Sequence, residues 1–416
     1  MAAVVALTAG SFADPAAAQQ RGNRERGQQA PQATYSEAFR AAFAPAQALF
    51  NAQPRDPQAM RAAVPAIAAA VSTPDDKFAG GQFIYAAGTA ASDPALQLQG
   101  LGLMLESGKV AAENLGQYNF IAGQIAYQAR DFARSRTYLQ AAVAAGYNET
   151  DPHVLITDTF VQQNDHAGGL SYIGGIVDQQ VAAGQVPSRD HLRKALAVAY
   201  TGRLGDAAVR YGTLFARHYP ASDSWGDAIV VTRTSAQLND DDVLDLLRLQ
   251  QATRTFRDGQ EYLAFIEMAD PRRLPNEVVQ VVNEGYASGL LSRENSFASD
   301  ALATARSRQS IVQGELAGLE RDANAASARL QTVVAAGNIF LDAGQPQKAE
   351  QFYRKALTMP GADTVTLQNR IGIAQVRQGN YAAAAETFGR VEGNRSAVSQ
   401  LWAAYAEQRA QGRTTG

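Results

Sequence analysis

Histidine is the side chain best able to move protons near neutral pH or to hold a transition metal. This chain has four: His153, His166, His191 and His218. All lie in one part of the sequence, but none forms the His-x-x-x-His pair that would put two ligands on one helical face. His166 falls in a turn, His191 near a helix start and His218 near a helix end, so surface or capping roles are expected. The acidic run Asn239-Asp240-Asp241-Asp242 lacks the glycine and closing glutamate of a calcium loop. It stands just before an apolar helical stretch, where capping and the helix dipole account for it. Gly102 to Val110 approaches a phosphate-binding loop but has five residues between its glycines, and Val110 stands where a hydroxyl must reach magnesium. It reads as a helix end capped by Gly108. Gly168-Gly169-Leu170-Ser171 lacks the second glycine of a nucleophile elbow and reads as a helix start with Ser171 exposed. With no cysteine, thiolate catalysis, disulfides and Cys-ligated zinc are excluded. No catalytic, cofactor or metal residue is therefore assigned, and a non-enzymatic role is expected.

The elements that would position any site are helices. From Tyr35 onward, apolar residues recur at helical spacing between short turns. Tyr35 to Asn51 carries Phe39, Phe43 and Phe50. Phe78 to Ala91 and Pro94 to Leu105 form a hairpin broken at Ser92-Asp93, one of which caps the second helix. Helical hairpins follow over 117–145, 154–183 and 189–219. Leu274 to Leu291 holds a β-branched cluster, Val278, Val279, Val281 and Val282, but Pro275 and the acidic first turn favour a helix. Regular strands are not expected anywhere.

The most regular stretch is 330–391. Gly337 and Gly372, Gly344 and Gly379, Ala349 and Ala384, and Tyr353 and Phe388 each stand 35 residues apart. Gly337 and Gly372 would let the second helix of a hairpin approach closely; Gly344 and Gly379 suit tight turns. This pattern resembles the tetratricopeptide repeat (TPR), a helix–turn–helix unit of about 34 residues. A weaker version covers 117–220, with Gly123 in the place of Gly337 and a turn near Gly205-Asp206 that reads as shortened. The resemblance implies an all-α, TPR-like helical-hairpin solenoid, a right-handed superhelix. Ser396 to Arg409 would close its end as a capping helix through Val398, Leu401, Trp402 and Tyr405. The expected organisation is a signal peptide (1–18), a flexible linker (19–34), TPR-like repeats (35–220), degenerate repeats (221–329), two clear units (330–395) and the cap with a tail (396–416). Two solenoid segments could meet near residue 221.

By the same resemblance, the first helix of each hairpin lines a concave groove for a peptide or partner protein. Its positions would be Gln331, Val334, Asn338, Leu341 and Asp342, then Thr366, Asn369, Ile373, Val376 and Arg377. Asn338 matches one position of the carboxylate clamp of chaperone-binding relatives. Val334 stands where that clamp needs lysine, which implies a more apolar and amidic groove. The alternatives are a ligand site or enzyme centre in 222–329, around Glu261, Glu267 and Glu284, or an envelope protein that self-associates into homo-oligomers.

Composition narrows the partners. Apolar residues make up 46% and charged residues 19%, with a net charge of −3, which leaves no electrostatic footprint for nucleic acid. No run approaches the roughly 20 apolar residues of a membrane span. Ala2 to Ala13 has the length of a signal h-region, and Ala16-Ala17-Ala18 offers a cleavage site before Gln19, although a basic n-region is missing,. Export to a bacterial periplasm or envelope is the expectation.

Overall fold

The computed structural model describes residues 33–413. The expected signal peptide and nearly all of the linker lie outside them. Among the described residues there are twenty α-helices and no strand. No helix among them is long and apolar enough to cross a membrane. The chain divides into two compact units between Tyr118 and Asn119.

The first unit opens with α1 (Glu37–Asn51) and α2 (Pro57–Ala70). Each starts at a side-chain cap, Ser36 and Asp56, and α2 has proline at its first turn,. Phe39, Phe43 and Phe50 face inward as their spacing predicts: Phe39 stacks on Phe43, Phe43 meets Phe83 edge-on and Phe50 lies tilted against Phe83. Next come α3 (Pro74–Ala90) and α4 (Pro94–Glu106). Of the two candidate caps, Asp93 holds α4, and Ser92 takes the left-handed turn before it. The pair packs backbone to backbone: a Cβ on Gly81 would lie 2.6 Å from the Gly100 carbonyl oxygen. Gly108 ends α4 at φ +66°, the cap role expected of it.

One carboxylate ties the first unit together. Asp76 Oδ1 accepts the Ser36 amide at 3.0 Å. Its Oδ2 accepts the Thr73 amide at 3.0 Å and the Ser72 hydroxyl at 3.1 Å. Burial raises its pKa, but the bonds from Thr73, Ser36 and Ser72 outweigh this and hold it at about 2. The unfolded group titrates near 3.8, so Asp76 stabilises the fold fully above that pH and loses its effect as pH falls through about 2. The difference is worth about 2 kcal/mol. Hydrogen exchange of α1 and α3 amides should therefore accelerate between pH 4.5 and 2.5, beyond the intrinsic chemical change. Asp76→Asn should remove that dependence and weaken protection at both pH values.

The second unit is a run of hairpins. Helix α5 (Ala112–Gln128), which contains the division point, pairs with α6 (Phe132–Ala144). Then come α7 (Pro152–Val161) with α8 (His166–Ala182), and α9 (Arg189–Thr201) with α10 (Gly205–His218). The middle region holds α11 (Ser222–Ser235), α12 (Asp240–Thr253), α13 (Gly259–Ala269), α14 (Pro275–Ser288) and the long α15 (Ser296–Asn324). The valine-rich stretch is helical, as its proline start favoured. The C-terminal hairpins are α16 (Leu330–Asp342) with α17 (Pro346–Leu357) and α18 (Thr364–Arg377) with α19 (Tyr381–Gly389). Helix α20 (Ser396–Ala410) ends the fold. The expected meeting point near residue 221 falls inside this unit, where α10 packs on α11.

The repeat spacing has its expected cause. A Cβ on Gly337 would sit 2.5 Å from the Tyr353 ring, and one on Gly372 would sit 2.5 Å from the Phe388 ring. Both rings are buried, so α16 can approach α17, and α18 can approach α19, only without a side chain at these positions.

The turns share one geometry from end to end. Ser92, Arg130, Asn164, Arg203, Gly344 and Gly379 are all left-handed. In each case the next residue's amide bonds back to the carbonyl five residues earlier, as in Asp131 to Ala126 (2.9 Å), Leu204 to Ala199 (2.9 Å) and Gln345 to Phe340 (2.8 Å). This is the Schellman closure of a helix end. Of these six, only the two C-terminal copies use glycine; in the other four a side chain accepts a conformation costing about 1–2 kcal/mol,. The turn of 189–219 is thus not shortened: Arg203, and not Gly205, is its left-handed residue.

Candidate functional site

Helix α20 covers α19 as a cap would, Trp402 stacking on Phe388 with centroids 5.8 Å apart. It also reaches far back along the chain. The Trp402 indole N–H donates to the Asp245 carbonyl of α12 at 3.0 Å. The Gln408 amide donates to the Ala216 and Arg217 carbonyls at the end of α10, at 2.7 and 2.9 Å. Its oxygen accepts the Trp225 indole N–H of α11 at 3.3 Å. Helices α10 to α20 therefore form a closed circuit rather than an open stack.

Inside that circuit lies a cleft of about 1100 Å³. Its walls come from α12, the α12–α13 turn, α14, the end of α16, the Gly344–Gln347 turn and the end of α18. Its floor is a chain of alternating charges from three helices. Arg248 Nη1 lies 2.9 Å from Asp245 Oδ1, and Arg248 Nε lies 3.0 Å from Glu277 Oε2. Arg377 donates to the other Glu277 oxygen and to the Leu341 carbonyl. The Arg248 and Glu277 side chains are 5% and 3% exposed, so each needs its partner to remain charged. Burial alone would raise the Glu277 pKa, but Arg248 and Arg377 hold it well below the usual carboxylate range. Burial would lower that of Arg248, but Glu277 and Asp245 raise it.

A second polar seam runs beside the first. Asp342 accepts the amides of Asn276 and Glu277 at 3.2 and 2.8 Å, so a carboxylate from α16 caps the N-terminus of α14. Burial raises the Asp342 pKa, partly offset by these bonds. Asn369 donates to Asp245 at 2.7 Å. Arg370 donates to Asp241 and to Asn338, each at 2.6 Å, and Tyr353 also donates to Asn338 at 2.9 Å. The acidic run at the start of α12 does cap that helix, through Asn239 and Asp242. It also binds Arg370 and Arg395, which anchor it to the C-terminal hairpins.

This packing corrects the expected partner groove. Leu341, Asp342, Thr366, Asn369 and Ile373 are buried, because α12, α14 and α20 of the same chain occupy the concave side. Gln331 is exposed and Val334, Asn338 and Val376 are half-buried. The Arg377 side chain retains 30% exposure. Of the ten, Asp342, Val376 and Arg377 line the cleft.

The carboxylates suggested for the middle region do not converge. Glu284 lines the cleft and accepts the Gln251 amide at 2.9 Å. Glu261 is buried and accepts Gln250 at 2.6 Å and the Arg257 amide at 2.7 Å. Glu267 is exposed. Glu277, Arg248 and Asp245 were not singled out from sequence. The available signal was two charges three residues apart, Asp245 and Arg248, among Leu244, Leu246, Leu247 and Leu249, where a core-facing helix would otherwise be apolar.

The histidines also differ from expectation. His191 is 5% exposed and bonds Asp151, so it is neither a surface nor a capping residue. Among the described residues no group of three or more His, Asp or Glu side chains is placed to hold a metal ion.

No family model matches the chain, and no curated protein matches its sequence. Among solved structures, a tetratricopeptide repeat protein from Parabacteroides merdae aligns at 10% identity, covering 70% of this chain and 98% of its own, with a TM-score of 0.25. A pentatricopeptide repeat protein from maize aligns at 13% identity, covering 90% of this chain and 60% of its own, with a TM-score of 0.27. Scores this low carry no weight of their own. The C-terminal hairpins are TPR-like by their sequence pattern and by the packing of Gly337 on Tyr353 and Gly372 on Phe388.

Proposed function

We propose that the protein is a non-catalytic scaffold of the bacterial envelope that holds a segment of a partner protein in the cleft of its helical circuit. The observation that carries this reading is the state of the cleft's charges. Arg248, Glu277 and Arg377 are consumed by one another, which leaves no free acid–base pair on the floor. Beyond them the lining holds the amides Gln280 and Gln347, Gln251 bonded to Glu284, the short apolar groups Ala287 and Val376, and Arg254. Primary amides both donate and accept, which matches the main chain of an extended peptide. The aromatic residues of the lining, Phe256, Tyr262 and Trp402, are buried and present no open face for stacking a sugar ring.

A photo-crosslinking residue at Gln280 should trap a discrete protein adduct in the native host, and the same residue at exposed Arg354 on α17 should not. Ala287→Trp, which fills the cleft from an exposed position, should abolish the adduct. Equal labelling from both positions, or an adduct that survives Ala287→Trp, would sink the proposal. The envelope location rests on the signal-like start; recovery of protein with an intact Met1 from the native host would count against it.

A further inference from the structure

Four titratable side chains meet where α7, α8 and α9 pack, well apart in sequence from the cleft residues. Asp151 caps α7, its Oδ1 accepting the His153 amide at 2.8 Å. Its Oδ2 lies 2.5 Å from His191 Nε2 on α9. His153 Nδ1 lies 2.7 Å from the Tyr172 hydroxyl on α8. The two imidazoles stand edge to face with centroids 5.7 Å apart. One carboxylate thus holds the His191 ring and the main chain of His153. The His191 Nδ1 is buried with no partner.

The surrounding charges are already committed. Lys194 of α9 pairs with Asp158 of α7. Arg136 of α6 reaches Thr159 and Gln163 at the far end of α7, at 3.1 and 2.6 Å. Asp190 and Arg193 of α9 pair with each other in solvent.

A neutral His153 fits this arrangement. Asp151 is already bonded to the His191 ring, so a proton on His153 would place a half-buried cation edge to face with that ring and with no carboxylate bonded to its own. We propose that Asp151, His153, Tyr172 and His191 form a pH-responsive joint that clamps α7, α8 and α9 while the His153 imidazole is neutral and loosens when it takes up a proton.

The direction of the titration agrees. Burial lowers the His153 pKa, Asp151 partly offsets this, and His191 lowers it further. A histidine whose folded pKa is below its ordinary 6.5 stabilises the fold fully above that pH and loses its effect as pH falls through the folded value. Asp151, also shifted downward, stays ionised throughout this window. The Tyr172 hydroxyl, raised to about 12, stays protonated.

The test is hydrogen exchange on the full chain at pH 7.5 and 5.5, corrected for intrinsic rates. Peptides from α7 to α9 should exchange several-fold faster at pH 5.5, whereas those from α16 to α19 should not. His153→Gln should flatten the response, and His218→Gln should leave it intact. A uniform response, or one that survives His153→Gln, would overturn the joint. Should the variant fold poorly, carbon-13-labelled histidine in the unmodified protein decides. His153 should titrate below 6.5. Titration of His153 at or above 6.5 would refute the joint.

Discussion

Glu277→Ala is expected to destabilise the second unit by about 3–5 kcal/mol, the range for removing one partner of a buried ion pair. The Glu277 side chain is 3% exposed and joins Arg248, which is 5% exposed, to Arg377. Its loss leaves the Arg248 guanidinium with Asp245 alone, and Asp245 already serves Asn369. The main-chain bond from Glu277 to Asp342 survives, so the loss reports the charges. Urea unfolding followed by Trp225 and Trp402 fluorescence reads the effect, because both indoles lie in the helical circuit. The double variant Arg248→Met with Glu277→Leu should recover part of the stability, since two apolar side chains need no counter-charge. A double variant as weak as the sum of the singles would locate the loss in packing instead.

Trp402→Ala should cost a comparable 3–5 kcal/mol, as buried tryptophan truncations do. Trp402 is 2% exposed, stacks on Phe388 and meets Tyr405 edge-on at 5.9 Å. The pattern of damage is the sharper readout. In an open solenoid the disturbance would stay with the neighbouring α18 and α19, since each repeat contacts only the next. Here the indole also holds the Asp245 carbonyl, so α12 amides should lose hydrogen-exchange protection together with those of α18 and α19. Loss confined to α18 and α19 would show that α20 is merely a cap.

These outcomes bear on how much could be read from the chain itself. Helix identity was legible almost throughout, because a period near 3.6, N-cap residues and N1 prolines act within a few residues of one another. Gly337 and Gly372 were legible for the same reason: the ring each one admits lies on the next helix, sixteen residues on. The turns at Arg130, Asn164 and Arg203 were harder. They adopt the glycine conformation without glycine, so a search for the residue type misses the geometry. His191 looked like a helix-start residue because nothing near it in sequence reveals Asp151, forty positions away.

The candidate site was the least legible part. A resemblance to open TPR arrays placed Asn369 and Asp342 on a groove wall. In the fold they are held by Asp245, 124 positions away, and by the start of α14, about half as distant in sequence.

The sequence by itself determined an all-helical chain, its hairpins and the two matched C-terminal units, since each depends on contacts between neighbours. Only the tertiary structure decided that α20 returns to α10–α12, that the chain fills its own groove, and that Arg248, Glu277 and Arg377 share a floor. Those facts depend on charges from distant helices that can be buried only in each other's company, and such pairings leave no period in the sequence.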